Sequence, residues 1–228
     1  MNERTNSVIY YRLLVIASLS IGIILNLYNT NDVTIILSYY TSQINIMCLI
    51  NFIVVEVAEI RNKDYRSSEI YYFIKGQLVM AVLMMIIIFN LSLLPRFDMI
   101  PNTFERRTVY KTISNVLLHE VSPILVILDY ILFDNKGNFK KYYPIAWFFI
   151  PLNYLIYVYI YSLNGGCFYN TGGSNKFAYF FLDYRKVGYE GVINWLIVII
   201  ITILILGYII VIIDNLLAKL RKKKIYKN

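Results

Sequence analysis

The chain has 228 residues, of which 58% are hydrophobic and only 16% are charged, and its formal net charge is +8. Soluble domains carry roughly 25% charged residues, so this composition excludes an ordinary soluble domain. The positive charge does not indicate nucleic-acid binding, because six basic residues fall in the last ten positions, where only Tyr226 could stack on a base. A basic flank after an apolar run is typical of a segment attracted to anionic lipid. We therefore predict membrane lipids as partners, and no nucleic acid.

Apolar runs of about 20 residues recur along the chain, which is the length of helix that crosses a hydrocarbon core of ~30 Å. The runs are apolar nearly all round rather than amphipathic. We predict an all-α polytopic membrane bundle in a single domain, residues 1–228, with six transmembrane helices and a basic tail at 218–228. The predicted spans are 8–28, 34–59, 71–94, 111–133, 143–163 and 192–217.

The distribution of Lys and Arg over the loops predicts the orientation of the bundle. Loops 60–70 and 134–142 and the tail carry clusters of basic residues, whereas loop 29–33 has none and loop 95–110 has mixed charge. Because cytoplasmic loops carry the excess of Lys and Arg, both termini are expected in the cytoplasm, and the protein in the cell membrane. Loop 164–191 then lies outside, and its aromatic stretch is interpreted as an interfacial belt, with a cap that dips toward the membrane as the alternative. Abundant Ile, Asn, Lys and Tyr are typical of AT-rich bacterial genomes.

Small polar residues and the only histidine recur at intervals of three or four residues on two spans, so each set shares one helix face. The sets are Ser38, Thr41, Asn45 and Cys48 on the second span, and Asn115, His119 and Ser122 on the fourth. An ionisable side chain inside a membrane is costly, and imidazole exchanges a proton near neutral pH, so His119 is a candidate for chemistry. Glu56, Glu59 and Asp129 lie toward the cytoplasmic ends of their spans, where we expect them to reach water.

Depth in the membrane brings two of these residues together. Thr41 lies nine residues, or roughly 13 Å, from the outer end of its span, and His119 lies eight residues, or roughly 12 Å, from the outer end of the fourth. Both spans run from outside to inside, so the hydroxyl and the imidazole can meet. The residues alone leave other roles open, since Thr can bond to its own helix, Asn can bridge helices and a buried His can simply pack. One His and two distant Cys give no metal-ligand spacing, so no metal or other cofactor is expected.

Two segments resemble a known family. The run LSYYTSQIN at 37–45 is similar to the run FSYFTxQxN of bacterial six-span proteins, and LLHEVSPILVILD at 117–129 is similar to their run LLHxxxPxLxxxD. Those proteins are distant relatives of the androgen-induced-protein family, integral membrane threonine hydrolases that cleave fatty acid esters of hydroxy fatty acids. Residues 179–183 also resemble the YPFLD element of that family, with Phe180 in place of the proline.

The resemblance implies that Thr41 is the nucleophile and His119 the general base of a lipid-ester hydrolase that works through an acyl-enzyme. The expected substrate is an amphiphilic lipid ester, such as an ester of a hydroxy fatty acid. The surrounding substrate-binding or supporting residues are expected to be Ser38, Asn45, Asn115 and Ser122. Among them, Asn45 is the candidate oxyanion donor, and Asn115 or Ser122 is expected to orient the imidazole ring.

The alternative from a different class is a non-catalytic transporter or membrane scaffold. Its polar crevice would be lined by Thr41, Asn45, Asn115 and His119, and the histidine would relay protons or bind a solute. Six spans without internal symmetry or paired broken helices lack the usual features of transporters. A fluorophosphonate probe separates the two classes, because it marks an activated hydroxyl and ignores a pore.

The predicted orientation can be tested at Cys167, which lies in the loop expected outside. An impermeant thiol reagent applied to intact cells should modify this residue, and the variant Cys167→Ser should abolish the signal. Modification that appears only after cell lysis would overturn the topology.

Overall fold

The computed structural model describes residues 3–30, 32–90, 106–170 and 173–225. Within them, six helices are long and apolar enough to cross a membrane, which confirms the all-α six-helix prediction. These helices are Asn6–Tyr28, Tyr40–Ile60, Glu69–Ile88, Thr108–Phe133, Tyr143–Leu163 and Tyr184–Lys223. The predicted end of the third span at 94, the loop 95–105 and the last three residues of the tail lie outside the described residues. The orientation in the membrane stays a prediction.

The described part of the chain consists of helices, with one small hairpin in the loop between the last two long helices. In chain order they are α1 (Glu3–Tyr28), α2 (Val33–Leu37), α3 (Tyr40–Ile60), α4 (Glu69–Ile88), α5 (Arg106–Val116), a π-helical segment (Leu117–Val121), α6 (Ser122–Phe133), α7 (Tyr143–Ala146), α8 (Phe149–Leu163) and α9 (Tyr184–Ile225). Strands β1 (Phe168–Asn170) and β2 (Gly173–Asn175) pair antiparallel, and a 3₁₀ turn (Phe180–Leu182) follows. Gly188 interrupts α9 with a φ of 72°, a left-handed conformation that glycine adopts readily.

The second predicted span, 34–59, is broken and not one helix. Helix α2 ends at Leu37, Tyr39 is extended with φ −78° and ψ 142°, and α3 begins at Tyr40. The predicted common face of Ser38 and Thr41 is therefore wrong, and the residue count along the span does not give the depth of Thr41. Thr41 lies instead in the first turn of a new helix.

The loop after α8 packs into the bundle. The side chains of Phe168, Phe177 and Phe181 are buried in the same hydrophobic cluster as Ile44 and Val158 of α3 and α8. Burial of large aromatic side chains dominates core energetics, so these contacts hold the loop against the helix ends. This burial contradicts the interpretation of the stretch as an interfacial belt and supports the alternative, an aromatic cap, whose position relative to the membrane stays a prediction.

A buried group of charges joins four spans at the end of the bundle opposite to that loop. Arg12 donates from Nε to Asp129 at 3.0 Å and from Nη1 to Glu59 at 3.3 Å, and Lys75 also donates to Asp129. The side chains of Arg12 and Asp129 are fully buried, so the expectation that Asp129 reaches water is wrong. Tyr65 adds a hydroxyl that accepts from Arg12 at 2.6 Å. Breaking such a pair is costly, because it leaves an uncompensated buried charge.

Gly76 of α4 lies so close to Trp147 that a Cβ at this position would be 2.2 Å from Cζ2 of the indole. Trp147 is fully buried and donates its ring N–H to the Phe73 carbonyl at 3.0 Å, so it has little freedom to move. Small residues permit such close approach between membrane helices. We expect Gly76→Ala to lower the free energy of unfolding by about 1–3 kcal/mol, seen as a lower Tm in detergent.

The matched control is Trp147→Phe, which removes the ring atoms that the new methyl group meets. If this contact is the cause, the double variant should lose less stability than the two single losses added together. Strictly additive losses would contradict the close approach of the two residues.

Candidate functional site

A cavity of about 210 Å³ lies among α3, α4, the fourth span, α8, the 3₁₀ turn and α9. Thr41 and His119, the two residues predicted as a catalytic pair, both line it, as does Tyr179. Most of the remaining wall is apolar, with Met84 and Leu196 as examples. The structure thus brings the predicted pair to one largely apolar cavity that suits a hydrocarbon better than a soluble metabolite.

His119 lies in a wide helical turn, the π-helical segment between α5 and α6. The N–H of Ser122 donates to the carbonyl of Leu117, five residues earlier instead of four. Pro123 explains the widening, because a proline ring has no N–H and clashes with the carbonyl four residues before it in an α-helix. That carbonyl belongs to His119. Single turns of this kind are frequent at functional sites.

The imidazole of His119 stacks on an aromatic ring, and one of its nitrogens has no polar partner. Its ring lies parallel to that of Phe89, with centroids 3.9 Å apart and planes 13° apart. Its Nδ1 atom is buried and has no hydrogen-bond partner. The adjacent Glu120 is turned to α4, where it accepts from Asn90 at 2.7 Å. A buried nitrogen without a partner calls for an explanation, and a ligand in the cavity supplies one.

Thr41 is the second residue of α3, beside unpaired backbone donors. Tyr39, at the N-cap position, makes no side-chain cap, and the first backbone bond of the helix runs from the Gln43 N–H to the Tyr39 carbonyl. The N–H groups of Tyr40, Thr41 and Ser42 consequently have no acceptor within the helix. The Thr41 hydroxyl therefore sits at the positive end of the α3 dipole, where developing negative charge is stabilised.

Asn45 joins the helix of Thr41 to the segment of His119. Its amide nitrogen donates to the carbonyl of Thr41 at 2.8 Å and to the carbonyl of Leu118 at 3.1 Å. In a π-helical turn, each N–H donates to the carbonyl five residues earlier. Pro123 has no N–H, so the Leu118 carbonyl receives no such bond from this position, and the Asn45 amide bonds to it instead. Asn45 is therefore a bridge between helices. Its predicted role as oxyanion donor is wrong, because its amide nitrogen is committed to these carbonyls.

Three other predicted site residues lie away from the cavity. Ser38 shares a hydrogen bond of 2.7 Å with the Tyr157 hydroxyl, and Ser122 is fully buried with its hydroxyl 2.8 Å from that of Ser18 in α1. Asn115 lies in the last turn of α5 and is not among the described residues that line the cavity. The wide turn changes which residues share a face, so the predicted common face of the fourth span is wrong. Neither Asn115 nor Ser122 orients the imidazole through Nδ1.

Tyr179 belongs to the site but was not predicted from the sequence. Its hydroxyl hydrogen-bonds with the hydroxyls of Thr41 and Tyr154 and with the backbone N–H groups of Tyr40 and Thr41. Burial raises the pKa of Tyr179 to about 12, so the phenol keeps its proton at neutral pH. The sequence signals were the aromatic stretch at 177–181, which suits an interfacial belt equally well, and the resemblance of residues 179–183 to the YPFLD element, which assigned Tyr179 no role.

Part of the cavity wall also forms the outer surface of the bundle. Leu152 of α8 and Ile200 of α9 line the cavity, and each is 39% exposed on the outside. A second cavity of about 130 Å³ lies beside the first, and Met84, Ile88 and Ile199 line both. Because α8 and α9 belong to candidate membrane spans, the cavity is separated from the lipid by single side chains.

No protein-family model, curated protein or solved structure matches this chain. The relation to the androgen-induced-protein family therefore stays a prediction from the two short motifs. Within the part of the chain that the structure describes, no group of three or more His, Cys, Asp or Glu side chains is placed to hold a metal ion.

Proposed function

We propose that this protein is an intramembrane hydrolase of lipid esters, with Thr41 as nucleophile and His119 as general base. One observation carries the proposal: Thr41, in the first turn of α3, and His119, with a buried nitrogen that lacks a partner, line the same largely apolar cavity. A hydroxyl with an imidazole is the minimal set for nucleophilic catalysis of acyl transfer.

The chemistry follows from the groups at the site. The imidazole of His119 accepts the Thr41 proton while Oγ attacks the ester carbonyl, and the carbonyl oxygen becomes an oxyanion near the positive N-terminal end of the α3 dipole. The intermediate collapses as the imidazolium gives its proton to the leaving alkoxide, which frees the alcohol and leaves an acyl-threonine. Water, deprotonated by the same imidazole, then attacks the acyl-threonine. The acid is released and Thr41 regains its proton.

An ester that reaches the site from the bilayer fits the surroundings best. The wall formed by Leu152 and Ile200 faces the outside of the bundle, and the second cavity provides further apolar space next to the first. Burial of hydrocarbon in such a space is favourable at about 25 cal/mol per Å². The family resemblance narrows the proposed substrate to fatty acid esters such as those of hydroxy fatty acids. We propose the cell membrane as the location.

The transporter or scaffold alternative has less support. It requires a crevice lined by four polar residues, but Asn45 is bonded between helices and Asn115 is absent from the described lining. The polar residues that remain in the described lining are Thr41, His119 and three tyrosines. This arrangement supports a reaction centre and not a polar path across the membrane.

Hydrolysis by purified variants tests the proposal. Thr41→Ala and His119→Ala should each lower kcat for a long-chain ester in detergent by at least about a hundredfold, the low end of general-base catalysis. The double variant should be no worse than either single variant, because the two residues act as a unit.

The matched control is Ser42→Ala, which removes a hydroxyl from the same helical turn without touching the described cavity lining. It should keep wild-type kcat. Full activity in Thr41→Ala, in protein that melts like the wild type, would reject Thr41 as the nucleophile.

A further inference from the structure

The loop after α8 places Tyr179 next to the start of α3, and packing against other aromatic rings holds it there. The ring of Tyr179 is parallel to that of Phe181, with centroids 5.3 Å apart, and meets the ring of Tyr154 at 6.2 Å. The Tyr179 carbonyl accepts from the Leu182 N–H at 3.1 Å, which closes the 3₁₀ turn. With Phe181 itself buried, the phenol has a fixed direction.

The hydroxyl of Tyr179 has three partners on α3. The N–H groups of Tyr40 and Thr41 can only donate to it, and the third partner on α3 is the Thr41 hydroxyl. The Tyr154 hydroxyl, which donates to the Ser38 carbonyl at 3.3 Å, is a further side-chain hydrogen-bond partner of Tyr179. The Tyr179 hydroxyl is thus the polar group of the aromatic cap that meets both the nucleophile and the helix N-terminus.

Thr41 lacks the acceptor that a threonine in a helix ordinarily uses. A threonine hydroxyl commonly bonds to the carbonyl four residues earlier. For Thr41 that carbonyl belongs to Leu37, which lies across the break in the second span and accepts from the Gln43 amide at 3.3 Å. Without another partner, the direction of the hydroxyl would rest on the χ1 preference of threonine alone.

We infer that Tyr179 is a positioning residue, whose hydroxyl fixes the direction of the Thr41 hydroxyl inside the cavity shared with His119. The inference rests on the proposed function and deepens it, since it assigns the aromatic cap a part in the reaction. By holding Thr41 in one rotamer, Tyr179 reduces the entropy lost on the way to the transition state.

The test compares two variants that each remove one phenolic oxygen from the same region. Tyr179→Phe loses the contact with Thr41, whereas Tyr159→Phe loses a hydrogen bond of 3.1 Å to the Leu182 carbonyl and so loosens the loop without touching Thr41. With the full-length protein and one long-chain ester, Tyr179→Phe should lower kcat about tenfold, the worth of one hydrogen bond at the upper end of its range. KM should stay unchanged, and the rate of fluorophosphonate labelling should fall by the same factor. Tyr159→Phe should keep both rates.

Thr41→Ser supplies a second measurement that leaves Tyr179 intact. Serine lacks the methyl group that restricts χ1, so its hydroxyl stays in place only if Tyr179 holds it. Thr41→Ser alone should keep most of kcat. Adding Tyr179→Phe should lower kcat by a larger factor in the Thr41→Ser background than in the wild type. Equal costs in the two backgrounds would overturn the inference.

The outcomes separate this inference from the proposed function. If the wild type hydrolyses the ester through Thr41 while Tyr179→Phe keeps its kcat and labelling rate, only the positioning role is rejected. Equal losses of kcat in Tyr179→Phe and Tyr159→Phe would show that Tyr179 has only a structural role in the cap. If the wild type neither hydrolyses nor labels, the proposed function and the positioning role fall together.

Discussion

The missing N–H of Pro123 is the constraint on which the site depends. Backbone groups that lack partners inside a membrane cost several kcal/mol each, so a proline in the middle of a span requires a local solution. Here the helix widens into a π-turn that contains His119, and Asn45 donates to the carbonyl of Leu118. The same amide also binds the carbonyl of Thr41. The missing N–H of Pro123 therefore has two consequences. The wide turn directs the imidazole toward the cavity, and the Asn45 bridge connects this turn to the helix that carries the Thr41 hydroxyl.

The two ends of the bundle are stabilised by different forces. At one end the ion pairs of Arg12 and Lys75 with Asp129 clamp α1, α4 and α6 together, and Asp129 lies on the helix that continues from His119. At the other end, aromatic side chains of the loop at 164–183 cover the cavity. The clamp fixes the span that carries the proposed base, whereas the aromatic cap delivers Tyr179 to the proposed nucleophile.

The spans could be predicted because their apolar length is visible in the sequence. That Thr41 and His119 line one cavity could be predicted because both residues lie toward the same end of two spans that run in one direction, and their catalytic role stays a prediction. The break at Tyr39 could not be predicted, since no proline or glycine marks it. The hydrogen bond of Ser122 with Ser18 could not be predicted either, because the π-turn changes the side of the helix on which Ser122 lies. A charge near the end of a span, such as Asp129, fits exposure to water as well as a buried ion pair. The contact of Tyr179 with Thr41 could not be predicted, because Tyr179 lies in an aromatic stretch whose composition suits an interfacial belt and a cap equally.

The most direct test of a Thr41 nucleophile is to identify the residue that an activated-hydroxyl probe modifies. Protein in native membranes would be treated with a fluorophosphonate, digested, and the modified peptide sequenced by mass spectrometry. A nucleophile activated by His119 predicts a single adduct on Thr41 that disappears in His119→Ala. An adduct on Ser38, Ser42 or another hydroxyl, with Thr41 unmodified, would contradict the assignment.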